Sequence, residues 1–232
     1  MDRFEAKEFR ASAARLNFLG QDSPEMQYPA KEVSKDMAVP KRGSLKRLKK
    51  VVRFVAGREK VVWTYPWQDE CADLDVYADS DWGGRVGSRK STSGGAVMLG
   101  AHCLKTWSST QGAVALSSAE AEFYAMIEAT LRTKGLRSLA LEMGFNLKMG
   151  IIDLWTNTYA AKSFVSRRGL GKMRHVEIRD LWLQREVGEG RVWVFQVKGD
   201  ENPADSMTKI LKLEEIRTRL GRLGIVLTWR GG

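Results

Sequence analysis

A chain of 232 residues with 43% apolar residues can bury one sizeable α/β core and an appendage, which excludes a disordered or fibrous protein. Two cysteines, Cys71 and Cys103, are too few for a disulfide framework, so no disulfides and an intracellular setting are expected; the two histidines stand at no spacing that suits structural zinc. No apolar run reaches the roughly 20 residues of a membrane span and the start MDRFEAKEFR is too charged for a secretory signal, so no membrane is expected, while the net charge of +10 suits a polyanion partner.

Residues 1–66 carry 15 Lys and Arg against 8 Asp and Glu, and the stretch KRGSLKRLKKVVRFVAGREK at 41–60 holds nine basic residues and one acidic. This segment reads as mostly helical, with breaks at DSPEMQYP (22–29), where Pro24 and Pro29 punctuate, and at VPKRG (39–43). Leu45, Leu48, Val51, Val52 and Val55 recur at helical spacing, so the basic stretch reads as an amphipathic helix with its charged side outward. Either a solvated basic face or a phosphate-binding face accounts for that charge.

From Trp67 the pattern changes to strands. LDVYAD, GGAVMLGAHC and LKTWSS read as three short strands in an antiparallel meander. A long helix follows in SSAEAEFYAMIEATLRTKGLRSLALEMG, its start marked by Ser117 with Glu120 three residues on. Then come a strand at 150–156, a helix at about 158–167, a helix around HVEIRDLWLQREV, the strand RVWVFQVK, and a helical stretch from about 202. The order β-β-β-α-β-α-α-β-α predicts a mixed five-stranded sheet with helices on its faces. Trp155, Leu183, Trp182, Trp193 and Phe195 read as core.

Three acids and one amide fall at element ends. Alternation in VYADSDW sets Asp79 opposite Ala78; Glu122 lies one turn into the long helix; Asn157 follows the fourth strand; Asp205 lies in ENPADSMTK. Acids that converge from separate elements repel one another unless a cation lies among them, so convergence implies Mg²⁺. Taken singly, each reads as well as a helix N-terminal charge or a surface acid.

The words YADSDWGG, RKSTSGG, TWSSTQGAVALSSAEAEFYA, RHVEIRD and NPADSMTK, in this order, resemble the ribonuclease H domain of copia-type retrotransposon Pol polyproteins. NFLGQDSPEMQY and SLKRLKKVVRFVAG resemble the stretch that ends the reverse transcriptase. The resemblance implies an α/β, ribonuclease H-like mixed five-stranded sheet over residues 67–211, preceded by a helical basic remnant of the reverse transcriptase (1–66) and followed by a C-terminal helix and tail (212–232). It also implies hydrolysis of the RNA strand of an RNA:DNA hybrid by two Mg²⁺ or Mn²⁺ ions, inside the cell in cytoplasm, nucleus or retroelement particles, with the rest of a reverse transcriptase polyprotein as partner. Residue by residue, Asp79, Glu122 and Asp205 match metal-binding carboxylates of the catalytic set, and the remaining carboxylate falls on Asn157.

An Asn offers one carbonyl oxygen and no charge, so the expectation is a site that holds one ion rather than two and whose cleavage is weakened or lost, with a noncatalytic nucleic-acid-binding remnant as the alternative. Asp153 shares the strand face but stands about 13 Å away at roughly 3.3 Å per residue; Asp81 and Glu120 would have to leave other positions. Asn157 also reads as a cap for the following helix. Two basic groups, Arg89, Lys90, Ser91, Thr92 and Ser93 in one turn and Arg167, Arg168, Lys172, Arg174 and His175 in another, are candidate contacts for a nucleic-acid backbone, with a plain turn and a solvated surface as the ordinary readings.

Overall fold

The chain was analysed as a computed structural model, which describes residues 2–69, 71, 73–84, 87–145, 151–169, 171 and 181–229. Three helices come first: α1 (Arg3–Asp22), α2 (Pro24–Ser34) and α3 (Arg42–Gly57). Asp2 caps α1 through a capping box with Glu5. The break between α1 and α2 falls at Ser23, with Pro24 at the first turn of α2, where its missing N–H costs nothing. Pro29, expected to punctuate, lies inside α2 instead. Phe9, Ala13, Leu16, Met26, Ala30, Val33 and Leu48 close a small core among these helices, and the basic residues Arg42, Lys46, Lys49, Lys50 and Arg53 of α3 face outward.

Helix α3 stops at Gly57, and the next residues form a strand, β1 (Arg58–Trp63), which the helical reading of this segment missed. Its partner is β7 (Ile225–Trp229), in the segment read as a tail, and the two pair antiparallel with Val62 beside Val226. The signal was present in the glycine followed by the β-branched pair Val61–Val62, but a two-stranded ribbon is stable only when something covers it. Its cover is the main sheet: Val61, Trp63, Leu220, Leu223, Ile225 and Leu227 pack with Ala96, Met98, Cys103 and Met207. A buried ion pair between Glu25 and Arg58 and the Trp63 indole N–H to the Asp22 carbonyl tie the ribbon to the helices. The Cys71 and Cys103 thiols are both free.

The main sheet comprises β2 (Leu74–Asp81), β3 (Thr92–Leu99), β4 (His102–Thr110), β5 (Ile152–Thr156) and β6 (Val192–Gln196), in the order β4-β3-β2-β5-β6. β2–β3 and β3–β4 are antiparallel, as the meander predicts, whereas β2–β5 and β5–β6 are parallel. A central strand with an antiparallel meander on one side and parallel crossovers on the other is the ribonuclease H-like arrangement expected. Between the strands lie α4 (Ser118–Glu142), α5 (Tyr159–Val165) and α6 (Trp182–Gly188). Their apolar side chains, led by Phe123, Met126, Phe164 and Leu183, cover the face of Val76, Ala78, Val97, Leu154 and Val192. Each such large side chain contributes about 1.5–3 kcal/mol by leaving water. Ser117 caps α4 by accepting from the Glu120 N–H at 3.2 Å.

Two core expectations separate here. Leu183 is fully buried, but Trp193 is 53% exposed, because it points to the side of edge strand β6 that α5 and α6 do not cover. Trp155 lies between them in burial and stacks on Tyr77 and Phe195. Among the described residues no helix is long and apolar enough to cross a membrane.

α6 is fastened to its surroundings by Glu186, whose carboxylate accepts from Arg191 and from Lys134 of α4. The hydrogen bonds from Arg191, then those from Lys134 against the effect of burial, hold the Glu186 carboxyl down to about 2. A carboxyl depressed on folding stabilises the protein above its ordinary value near 4.5, and that contribution fades as pH falls toward 2. Glu186→Gln is therefore expected to lower the melting temperature at pH 7 and to change it much less at pH 3, measured by thermal denaturation at both pH values.

Candidate active site

The register of the sheet accounts for the first pair of site residues. β2 and β5 run parallel with Tyr77 beside Trp155, so two residues further on Asp79 lies beside Asn157. The Asn157 Nδ2 donates to Asp79 Oδ1 at 3.1 Å, and its Oδ1 accepts from the Thr158 hydroxyl at 3.1 Å. Asn157 does not cap α5: the cap position is Thr158, and no side chain caps that helix. Its side chain is committed to the acid beside it instead.

Glu122 reaches the same place from α4. Its Oε1 accepts from the Ser80 N–H at 3.2 Å, while Oε2 is buried with no hydrogen-bond partner among the described residues. Asp205 arrives from the opposite face, on a short 3₁₀ helix, Pro203–Met207. Asn202 caps that helix, accepting from the Ala204 N–H at 3.1 Å, and its Nδ2 donates to the Ala78 carbonyl on β2 at 2.9 Å. The next residue after the helix, Thr208, donates its hydroxyl to Asp79 Oδ2. Asp79, Glu122 and Asp205 are all buried, at 2%, 6% and 2% exposure.

This approach depends on glycine. A Cβ at Gly94 would stand 2.7 Å from Thr208 Cγ2 and 2.8 Å from Met207 Cβ, and one at Gly95 would stand 2.2 Å from the Trp107 ring. The word STSGG thus records two close approaches, the 3₁₀ helix on one face of β3 and Trp107 on the other.

Two cations join the cluster that the sequence reading did not single out. Arg219 of α7 (Leu213–Gly221) donates from Nη2 to Asp205 Oδ2 at 3.0 Å, and its own side chain is 9% exposed. The Lys209 ammonium lies 2.9 Å from Asp205 Oδ1, four residues on, and is half-exposed. Asn202 before Pro203 was a legible cap signal, and Lys209 was legible as a basic residue one helical turn from an acid. Arg219 gave no local signal, because its partnership exists only once α7 docks.

Burial, then the charge of Asp205, pushes the Asp79 carboxyl up to about 7; burial, then the charge of Asp79, pushes Glu122 up to about 8. Negative charge at these two residues is therefore poorly compensated by the protein itself. Among the described residues no group of three or more His, Cys, Asp or Glu side chains is disposed to hold a metal ion. Asp79 and Glu122, with the unpartnered Oε2, suit one small hard cation of the Mg²⁺ kind, which binds through one or two carboxylates and fills its other positions with water and phosphate. The neighbouring acids do not add to the set: Glu120 Oε2 accepts from the Leu116 N–H at 2.7 Å, and Asp153 lies beside Asp75 and Asp73.

The candidate backbone contacts divide. Arg89 is exposed and Lys90 half-buried, but Ser91, Thr92 and Ser93 are buried at 0%, 5% and 0%. Their hydroxyls accept from the Gly83 N–H, the Lys31 ammonium and the Gln111 amide, so they hold the start of β3 rather than face a ligand. Arg167 and Arg168 are exposed; Lys172, Arg174 and His175 lie outside the described residues.

Sheet order, strand directions and the element ends on which these residues lie define a ribonuclease H-like α/β fold. A comparison with known protein families finds no match. The chain is 26% identical over 218 residues, 94% of its length, to a retrovirus-related Pol polyprotein from transposon RE1 of Arabidopsis thaliana, and 25% identical over 197 residues, 81% of its length, to that from transposon TNT 1-94 of Nicotiana tabacum. The chain spans 15% and 14% of the length of these relatives. These relatives are retrovirus-related Pol polyproteins of plant transposons. Among solved structures, the N-terminal RNase H domain of rv2228c from Mycobacterium tuberculosis is 17% identical with a TM-score of 0.38, covering 59% of this chain and 91% of that one.

Gly94→Ala is expected to destabilise the protein by about 1–3 kcal/mol, since Met207 and Thr208 must withdraw from β3. At roughly 2–4 °C per kcal/mol for a chain of this size, the melting temperature should fall by several degrees. Gly43→Ala, where an added Cβ meets nothing within 4 Å, serves as the control in the same thermal scan.

Proposed function

We propose that this chain is a retrotransposon-derived ribonuclease H-like domain that binds RNA:DNA hybrid and hydrolyses the RNA strand weakly or not at all. The observation that carries this reading is the 3.1 Å hydrogen bond from Asn157 to Asp79, an uncharged amide inside the acid cluster where the family resemblance implies a carboxylate. Asp79 and Glu122 would hold a Mg²⁺ or Mn²⁺ ion, and such an ion supplies Lewis-acid polarisation of a phosphoryl oxygen. Asn157 can orient Asp79 but can neither take a proton from an attacking water nor share the charge of a cation. The half-exposed Lys209 and the exposed Arg89 would contact phosphate oxygens in this reading, which their exposure permits. The outward basic residues of α3 add a sequence-independent phosphate surface.

In this reading residues 1–66 are a remnant of a reverse transcriptase C-terminal region, residues 67–211 the ribonuclease H-like unit, and the partner is the remainder of a Pol polyprotein inside the cell, in cytoplasm, nucleus or retroelement particles. A second reading, a noncatalytic nucleic-acid-binding remnant, is favoured by the pairing of Asp205 with Arg219 and Lys209, which leaves that acid little free charge.

Hybrid affinity is expected to fall steeply with salt, and replacing Lys46, Lys49 and Lys50 by Gln should reduce the slope of log K against log salt by up to about 3. An affinity indifferent to salt would contradict the phosphate reading. Cleavage of an end-labelled hybrid in Mg²⁺, at equal folded fraction, should rise by a large factor in Asn157→Asp and change little in Asn157→Ala. If Asn157→Asp binds hybrid yet cleaves no faster than the parent, the noncatalytic reading stands.

A further inference from the structure

Three carboxylates meet in this cluster, but they are not equivalent. Asp205 is already matched by two side-chain cations: the buried Arg219 guanidinium on Oδ2 at 3.0 Å and the Lys209 ammonium near Oδ1 at 2.9 Å. Among the described residues Asp79 and Glu122 form no ion pair, although the charge of Lys209 is felt at Asp79; Asp79 receives hydrogen bonds from Asn157 and Thr208, and Glu122 leaves Oε2 buried and without a hydrogen-bond partner among those residues. The residue types and positions thus divide the cluster into a charge-compensated half at Asp205 and an uncompensated half at Asp79 and Glu122.

Two divalent ions side by side need carboxylates around both, because their mutual repulsion must be offset by ligand charge. Here the cluster offers a second ion only an uncharged amide at Asn157, hydrogen-bonded to Asp79, and an Asp205 already paired with two positive side chains. From this charge map, and resting on the proposed function of the same site, we propose that the cluster takes a single divalent cation between Asp79 and Glu122, and that Lys209 and Arg219 supply at Asp205 the positive charge a second ion would bring. Arg219 acts as a positioning residue: from α7 it fixes the carboxylate of Asp205 and with it the 3₁₀ helix. Lys209 is the half-exposed member of the pair, at 46% exposure against 9% for Arg219.

The arrangement makes an unusual demand. If Lys209 merely pegs the 3₁₀ helix, removing its charge loosens the cluster and weakens cation binding. If it stands in for an ion, removing its charge leaves more negative potential in the cluster, and the remaining cation binds more tightly. Coulomb attraction over a few ångströms at a partly buried site supports a change of roughly tenfold.

The test is Mn²⁺ binding to the full chain, followed by electron paramagnetic resonance and by titration calorimetry, without hybrid and with a hybrid whose RNA strand is fully 2′-O-methylated and so resists cleavage. The parent should bind one Mn²⁺ per chain in both conditions, and Glu122→Gln should abolish it. Lys209→Gln should tighten Mn²⁺ about tenfold, whereas Lys209→Arg should leave it unchanged. Arg219 is buried and its variants risk misfolding, so the half-exposed Lys209 carries the test. Two ions per parent chain, no ion at all, binding that survives Glu122→Gln, or a Lys209→Gln variant that binds Mn²⁺ no more tightly would each overturn the proposal. Hybrid affinity measured in the same samples without Mn²⁺ separates the two readings, since its loss refutes hybrid binding and leaves the ion count standing.

Discussion

The seating of the 3₁₀ helix Pro203–Met207 against β3 is the constraint on which the site depends. Gly94 leaves room for Met207 and Thr208, Asn202 ties the helix to the Ala78 carbonyl, and Thr208 reaches across to Asp79. Without that close approach Asp205 would stand off the sheet, and the three acids would be separate surface carboxylates. Because the same helix packs against Leu220, Leu223 and Ile225 through Met207, the C-terminal segment and the β1–β7 ribbon contribute to holding the site together. Packing and the geometry of the acid cluster are therefore one problem in this chain, and a substitution in either core should be felt at the cluster.

The electrostatics follow from this geometry. Bringing acids from both faces of a sheet to one strand end buries negative charge, and proteins meet that cost with counter-ions, hydrogen bonds or protonation. All three are visible here: cations at Asp205, donors at Asp79, and carboxyls pushed up at Asp79 and Glu122. Asn157 belongs to the second group. The amide adds a donor rather than a fourth negative charge beside Asp79, which favours the fold when no cation is bound.

Much of this was legible in the sequence, for reasons that can be named. The antiparallel meander and the start of the long helix followed from alternation in LDVYAD and the Ser117 cap, and the grouping of Asp79, Glu122, Asn157 and Asp205 from their places at element ends taken with the family resemblance. Asn157 lay beside Asp79 because two parallel strands in register bring equivalent positions together. What was not legible depended on distant contacts. β1 and β7 are short, lie at opposite ends of the chain and form a strand pair only by covering the sheet, so local propensity could not pair them. Ser91, Thr92 and Ser93 look like a solvent-facing hydroxyl turn until the helix bearing Lys31 and the loop bearing Gln111 close over them. Trp193 carries the size of a core residue on an edge-strand face that α5 and α6 leave half-exposed.

The central claim is that the cluster is divided, with the cation on Asp79 and Glu122 and side-chain positive charge on Asp205. Anomalous diffraction from crystals of the chain equilibrated with Mn²⁺ tests it most directly. The account predicts one anomalous peak, at about 2.1 Å from oxygens of Asp79 and Glu122, with Arg219 and Lys209 still on Asp205. Two peaks roughly 4 Å apart, or one peak with Asp205 as a ligand and Arg219 displaced, would contradict it.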